Sequence, residues 1–464
     1  MRRLMRVVLL ALMSSLLVVT LDGSPSLARS GTGYSHSSSS ANWSSARVTK
    51  HKKHHKKKHK RKPARRNPWT YCWPGVASLS AARVSGAVQF RWPATSCTTR
   101  YRLRVSPAWY GEWPGAPWYT RWTTGSARSL NWAVPTTPRA GDGMLATAYA
   151  NPVFAQLEAN NGSNTRATAT HRSTWKAQWP SPPAPRAGDP VRFGSYNVML
   201  YPTGSRAAVV AQNIGSHGVT MVALQEARQT TAADVVTNLS SPYSGTWDYV
   251  RANGATTSTP GQQILYRTDL FSLVDSGVYS MANPKDANDP VVGPWAAFEP
   301  VHQDGSHGHV FYVTSVHFAG TPRSSLQQNA WTGAAAKLVN DYMANLTNAP
   351  TIVAGDLRYG REPWGDTPGY VPAQPTFVRD GYYDVMASQV MHGQNYSVVN
   401  ATSDGTPSAH QTPNPSGLGP RSDHILMKGI VGSLSYTNVV NWSYGGVVPS
   451  DHNLIFSDIL IPQS

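Results

Sequence analysis

Seven polar residues, Asn197, Glu226, His317, Asp356, Asp423, Asp451 and His452, stand at or beside the ends of short apolar runs in the C-terminal part of the chain. The plainest run is Thr351-Ile352-Val353-Ala354-Gly355-Asp356, where apolar and β-branched residues lead into Gly-Asp. It predicts a buried strand that delivers a carboxylate at its end. A charge in that place is costly unless it is paired or bound to a metal. One such residue is ordinary, as a capping group in a strand-to-loop turn. Seven at corresponding places in a sandwich would gather round one rim, where they need a metal and an anion to satisfy them. Hard oxygen donors with few histidines and no cysteine point to Mg²⁺ or Mn²⁺ rather than Zn²⁺.

The elements that must position these groups alternate between strands and helices from Val191 onward. Strands are expected at Val191–Val198, Val219–Glu226, Gln263–Tyr266, Val310–His317, Thr351–Asp356 and Ser422–Met427, with a last one opening at Leu454-Ile455-Phe456 after Ser450-Asp451-His452-Asn453. Helices are expected at Ser205–Ser216 and Ser324–Leu346. The second carries Leu326, Ala330, Ala334, Leu338, Tyr342 and Leu346, read here as one apolar face.

These residues resemble the endonuclease/exonuclease/phosphatase superfamily, which includes DNase I-like nucleases, abasic-site endonucleases, sphingomyelinases and inositol-phosphate phosphatases. The resemblance spans residues 191–464. Its motifs, in the family's order, are Ser195-Tyr196-Asn197-Val198, Leu224-Gln225-Glu226, Ser315-Val316-His317-Phe318, Gly355-Asp356-Leu357, Arg421-Ser422-Asp423-His424-Ile425-Leu426 and Ser450-Asp451-His452. It implies a DNase I-like α/β four-layer sandwich with two mixed β-sheets. It also implies roles: Glu226 binds the metal, with Asn197 close by and Asp451 supporting that side. His452, oriented by Asp423, acts on the attacking water or the phosphate. Asp356 positions the nucleophile, and His317 stabilises phosphate charge or protonates the leaving oxygen. Phosphodiester hydrolysis needs these parts: a cation on the non-bridging oxygens, an aligned water and a proton route. Where the family has Asn, two residues after the aspartate, this chain has Arg358. Strand alternation puts positions 356 and 358 on one face. The guanidinium then either clamps phosphate or pairs with Asp356 and silences it.

Ahead of this part the composition changes three times. Residues 1–28 combine a basic start (Arg2, Arg3, Arg6), an apolar run from Val7 to Thr20 and small residues at Ser26 and Ala28, the pattern of a secretory signal peptide. Residues 29–66 are Ser-rich and then basic: Lys50–Arg66 holds eleven Lys/Arg and no acid, and no fold is expected there. Residues 67–172 alternate short β patterns with Pro and Gly turns, and resemble a fibronectin type III β-sandwich. That resemblance rests on Val88, Phe90 and Trp92, on Ala146–Asn151 and on Asn161-Gly162-Ser163. The chain's two cysteines, Cys72 and Cys97, fall here, and in a secreted chain a mutual disulfide is expected. Residues 173–190 form a Pro-rich linker.

The formal charge of +17 is unevenly spread. Residues 67–190 hold twelve Lys/Arg against four Asp/Glu, and residues 191–464 hold thirteen against nineteen. The basic segment is therefore a separate device for anionic polymers or surfaces, beside a mildly acidic C-terminal part. No later run is apolar for long enough to span a bilayer. The expectation is a monomer, secreted and either released or held at the cell surface, that hydrolyses phosphodiesters with a divalent metal, nuclease-like on DNA or RNA. A sphingomyelinase-like lipid phosphodiesterase and a non-catalytic surface-binding protein with a degenerate site are the alternatives.

Overall fold

Two mixed sheets end together at Asp356. The computed structural model describes residues 78–463 apart from internal segments, the longer of which are 107–117, 134–152, 162–169, 252–260, 282–290 and 359–372. The expected signal peptide, the Lys50–Arg66 segment, Cys72, Ala146–Asn151 and Gly162-Ser163 lie outside the described residues.

One sheet has six strands in the order Phe271–Met281, Val291–Pro300, Phe311–His317, Thr351–Asp356, Asp423–Lys428 and Tyr383–Asp384. Thr351–Asp356 runs parallel to Phe311–His317 and antiparallel to Asp423–Lys428, and the register sets His317 beside Asp356 and Asp356 beside Asp423. Three of the polar strand ends thus fall in one row. The other sheet has eight strands: Trp247–Tyr249, Gln262–Arg267, Met221–Gln225, Gly188–Asn197, Ile455–Pro462, Ser435–Asn438 and Val390–His392 in order, with Gly432–Ser433 paired to Ile455–Pro462. Asn197 lies beside Gln225 in its parallel pair, so Glu226 follows at the same end.

The near-continuous apolar runs are explained by burial on both faces. Along Met221–Gln225, Met221 and Ala223 face the other sheet, packing with Phe193, Phe298, Val313, Ile352 and Ile425. Val222 and Leu224 face the opposite way, against Val210 and Ile214 of the helix Gly204–Ser216 and Val235 and Leu239 of the helix Gln229–Ser240. On the six-stranded sheet, Val316, Val353 and Leu426 pack against Val339 and Met343 of the helix Ser325–Leu346 and Phe377 of the helix Ala373–Arg379. The layers are helix, sheet, sheet, helix.

The helix Ser325–Leu346 corrects one expectation. Leu338 and Tyr342 are exposed (49% and 37%), while Thr332, Ala336, Val339, Asn340 and Met343 are buried. Steps of four residues overshoot a full turn by about 40° each, so a row spaced strictly by four winds round the helix. The buried face advances by alternating threes and fours.

Residues 78–178 supply two further sheets. Ser80–Val84, Ala87–Arg91 and Ser129–Ala133 form one; Trp118–Tyr119, Arg100–Ser106, Val153–Asn160 and Thr170–Arg172 form the other, with Thr123–Thr124 and Lys176–Gln178 at its margins. Val88, Phe90 and Trp92 alternate inward to meet Tyr101, Leu103, Val105, Ala155 and Leu157. Cys97 is disulfide-bonded and no described cysteine is free.

The stretch expected to be a linker is packed. Lys176–Gln178 pairs with Val153–Ala155, Trp179 enters the core between the two large sheets, and Gly188–Pro190 already belongs to the strand expected to start at Val191. Arg83 joins the two parts further, donating to the carbonyls of Pro180 (3.1 Å), Ala387 (3.1 Å), Ser388 (2.5 Å) and Gln389 (3.1 Å). Trp69–Ser464 form one compact unit.

Candidate active site

Asp356 is fully buried, which is tolerable only because donors and cations surround it. Asn197 Nδ2 donates to Asp356 Oδ2 (3.2 Å) and to Glu226 Oε1 (3.3 Å), tying the end of one sheet to the other. The backbone N–H of Arg358 donates to Asp356 Oδ1 at 2.7 Å. The Nε of Arg358 lies 3.4 Å from Asp356 Oδ2 and donates to His317 Nε2 at 3.1 Å, and a terminal nitrogen lies 3.4 Å from Glu226 Oε1. The His317 proton is thereby assigned to Nδ1, because Nε2 accepts. His452 Nδ1 meets Asp423 Oδ2 at 2.7 Å, and its Nε2 faces Asp356 Oδ2 at 3.9 Å. Ser422 Oγ donates to the same Asp423 oxygen at 2.6 Å.

The backbone is bent to allow this. Gly355 has φ +151, and a Cβ there would stand 1.8 Å from the carbonyl oxygen of Val316, so only glycine lets the two parallel strands approach. Glu226 (φ +52) and Arg358 (φ +48) both leave their strands in the left-handed region, as do Met199, Leu200 and Tyr201 in sequence. Each such residue costs roughly 1–3 kcal/mol and persists only where its surroundings hold it. The Leu200 N–H donates to Glu226 Oε2 at 2.7 Å. Arg206, on the helix Gly204–Ser216, donates to the carbonyls of Val198 (2.8 Å), Met199 and Pro449 (3.1 Å), joining the loop after Asn197 to the loop before Asp451. Arg358 was expected to share a strand face with Asp356. The strand ends at Asp356, and a left-handed turn brings the guanidinium back over the carboxylate instead.

Burial alone would raise the Asp356 carboxyl, but Arg358, His452 and His317 outweigh it and hold it at about 2. Burial would likewise raise Glu226, yet the Leu200 N–H, His317, Asn197 and Arg358 keep it below its ordinary value. His317 is pushed down by burial, helped by Arg358 and His452 and opposed by Asp356 and Glu226, so it is neutral. Burial would lower His452, but the contact with Asp423, aided by Asp356 and Asp451, raises it to about 10. It is an imidazolium at neutral pH. Burial raises Asp451, against the pull of His452 and with help from Glu226.

The expected Mg²⁺ or Mn²⁺ ligands do not assemble as a set. Among the described residues no group of three or more His, Cys, Asp or Glu is arranged to hold a metal ion. Asn197 turns its nitrogen, not its oxygen, toward Glu226, and its Oδ1 accepts from the Met199 N–H at 3.0 Å. Both Glu226 oxygens receive N–H donors, and the guanidinium of Arg358 stands on Oε1. Five of the seven strand-end residues, Asn197, Glu226, His317, Asp356 and His452, come within 4 Å of one another in a chain of contacts, and Asp423 joins them through His452. Asp451 is half-buried beside His452 and makes no ion pair with the others among the described residues. Arg206 and the role of Ser422 were not foreseen: an arginine in a helix carries no distinguishing pattern in sequence, and Ser422, though inside the Arg421–Leu426 motif, had no role assigned to it.

The chain is similar in structure to solved endonuclease/exonuclease/phosphatase family proteins. One from Bacteroides thetaiotaomicron has 18% identity and a TM-score of 0.44, covering 60% of this chain and 97% of its own. Another, from Bacteroides vulgatus, has 18% identity and a TM-score of 0.44, covering 59% and 100%. The human Nocturnin catalytic domain with bound sulfate has 16% identity and a TM-score of 0.35, covering 59% and 94%. No family model and no curated protein matches the chain. At these identities and scores, the chemistry has to be read from the side chains themselves.

Proposed function

We propose that the chain is a phosphodiester hydrolase with a DNase I-like catalytic part, acting outside the cell as a monomer and on nucleic acid in preference to phospholipid. The observation that carries this reading is the His452–Asp423 pair at 2.7 Å, with the far nitrogen of His452 turned to the buried Asp356. An ionised carboxylate that can orient a water thus adjoins a charged imidazole that can meet a phosphate oxygen. Arg358 adds charge for the same oxygens, and Glu226 and Asn197 hold Asp356 and Arg358 in place. A divalent ion, were one bound, would supply further charge on the phosphate, and Glu226 would be its carboxylate ligand only once the Arg358 guanidinium had left Oε1.

The test is a screen of the purified protein against DNA, RNA, sphingomyelin, phosphatidylinositol and bis-p-nitrophenyl phosphate, each in EDTA, Mg²⁺ and Mn²⁺. Turnover of a diester, with nucleic acid ahead of lipid, is expected. Lipid turnover alone would reassign the substrate. Binding of anions without any turnover would favour the non-catalytic reading, which Arg358 beside both carboxylates makes concrete.

Nucleic acid is favoured because Lys50–Arg66 holds eleven Lys/Arg and no acid. Deleting that segment is expected to weaken DNA binding and flatten its salt dependence, because each phosphate contact releases counterions. Turnover of bis-p-nitrophenyl phosphate should hardly change. Equal losses on both substrates would place the segment in the active site instead.

A further inference from the structure

We propose that Arg358 is the resident cation of this site. Its guanidinium stands on the Glu226 carboxylate that a divalent ion would need, and it holds the substrate phosphate itself. The inference rests on the phosphodiester reading for its substrate, but its test needs no turnover.

Three observations carry it. The guanidinium stands 3.4 Å from Glu226 Oε1, the carboxylate expected to bind a metal, and lies also 3.4 Å from Asp356 Oδ2 and 3.1 Å from His317 Nε2. A divalent ion on Glu226 Oε1 would stand against that fixed charge, so it could bind only after Arg358 had moved away. Next, the side chain of Arg358 is 38% exposed while those of Glu226 and Asp356 are 17% and 0% exposed. The cationic face of the cluster is therefore the one an incoming anion reaches, and a planar fork suits two phosphate oxygens. Last, Arg358 sits at φ +48, a conformation that asparagine adopts with less strain than arginine. The backbone does not ask for arginine; the reason lies in the guanidinium.

The experiment is calorimetric titration of the full chain and of Arg358→Asn and Arg358→Lys, first with MnCl₂ and then, in EDTA, with inorganic phosphate. Circular dichroism and thermal melting verify that each variant is folded. Wild type is expected to bind phosphate without metal. Arg358→Asn should bind it at least about tenfold more weakly and Mn²⁺ at least about tenfold more tightly, each one decade in the dissociation constant. Arg358→Lys keeps the charge without the fork, so its Mn²⁺ binding should stay as weak as in wild type. Equal Mn²⁺ affinity in wild type and Arg358→Asn would overturn the proposal, as would phosphate binding that requires Mn²⁺ in the wild type. Diester turnover without these shifts would sink the cation assignment alone. The shifts without any turnover would sink the hydrolase reading alone.

Discussion

Replacing His452 with alanine is expected to lower phosphodiester turnover about a hundredfold or more while the chain stays folded. The imidazole touches Asp423 at 2.7 Å and faces Asp356 at 3.9 Å, so its removal takes the positive charge from between two carboxylates. Those carboxylates keep other donors, Ser422 Oγ for Asp423 and Asn197 and the Arg358 N–H for Asp356, which is why the fold should survive. Steady-state rates on bis-p-nitrophenyl phosphate, with circular dichroism as the folding control, check it. Wild-type rates in a folded His452→Ala protein would remove His452 from the reaction. Asp423→Asn adds a signature of its own. Any step that needs the imidazolium is lost as pH rises through the His452 value, which stands at about 10. The Asp423 charge raises that value, so its removal should move the alkaline limb of the rate profile to lower pH. An unmoved limb would mean that Asp423 does not set the charge on His452.

The second large effect is on stability. Gly355→Ala is expected to destabilise the chain by about 3 kcal/mol or more, at the upper end of what overpacking a filled interior costs. The new Cβ would stand 1.8 Å from the carbonyl oxygen of Val316 and 2.8 Å from its carbonyl carbon, backbone atoms that cannot swing aside as a side chain could. Relief requires the Thr351–Asp356 and Phe311–His317 strands to part, which carries Asp356 away from His317. Urea unfolding would measure the loss. A midpoint within error of wild type would mean that the close approach of these strands is not as tight as described.

The strand ends were legible because runs buried on both faces look alike wherever they occur. Thr351–Asp356 and Met221–Gln225 are apolar until the last residue or two, so the first polar group after them stands out. The hairpin of Phe271–Met281 and Val291–Pro300 was not legible. Ser272, Asp275, Ser276 and Ser280 interrupt it, Pro294 and Gly293 argue against a strand, and a register shift falls between Leu273 and Asp275. Within the site, residue types could be read but not their orientations. That Asn197 presents its nitrogen to Glu226 follows from the Met199 N–H behind it, which only a left-handed turn supplies. The reach of Arg206 to Pro449, across 243 residues, has no local trace at all. Nor does the turn at Arg358, because nothing in Asp-Leu-Arg announces a positive φ in a residue that avoids one.

Trp179 and Gly188–Pro190 bear on where this protein can be divided. A shortened chain begun at Val191, where the family-like motifs start, would lose the three residues that pair with Leu460, Ile461 and Pro462. It would also lose an indole from between the two large sheets, a deficit of the size of a Trp→Ala change, about 3–5 kcal/mol. Begun instead at Lys176, it would keep the indole but strand Lys176–Gln178 without Val153–Ala155 to pair with. Arg83 would be missing from either version, leaving the carbonyls of Ala387, Ser388 and Gln389 without its guanidinium. The sandwich is thus less an attachment than the first course of masonry for the part that follows, and the two are best expressed, and altered, as a single piece.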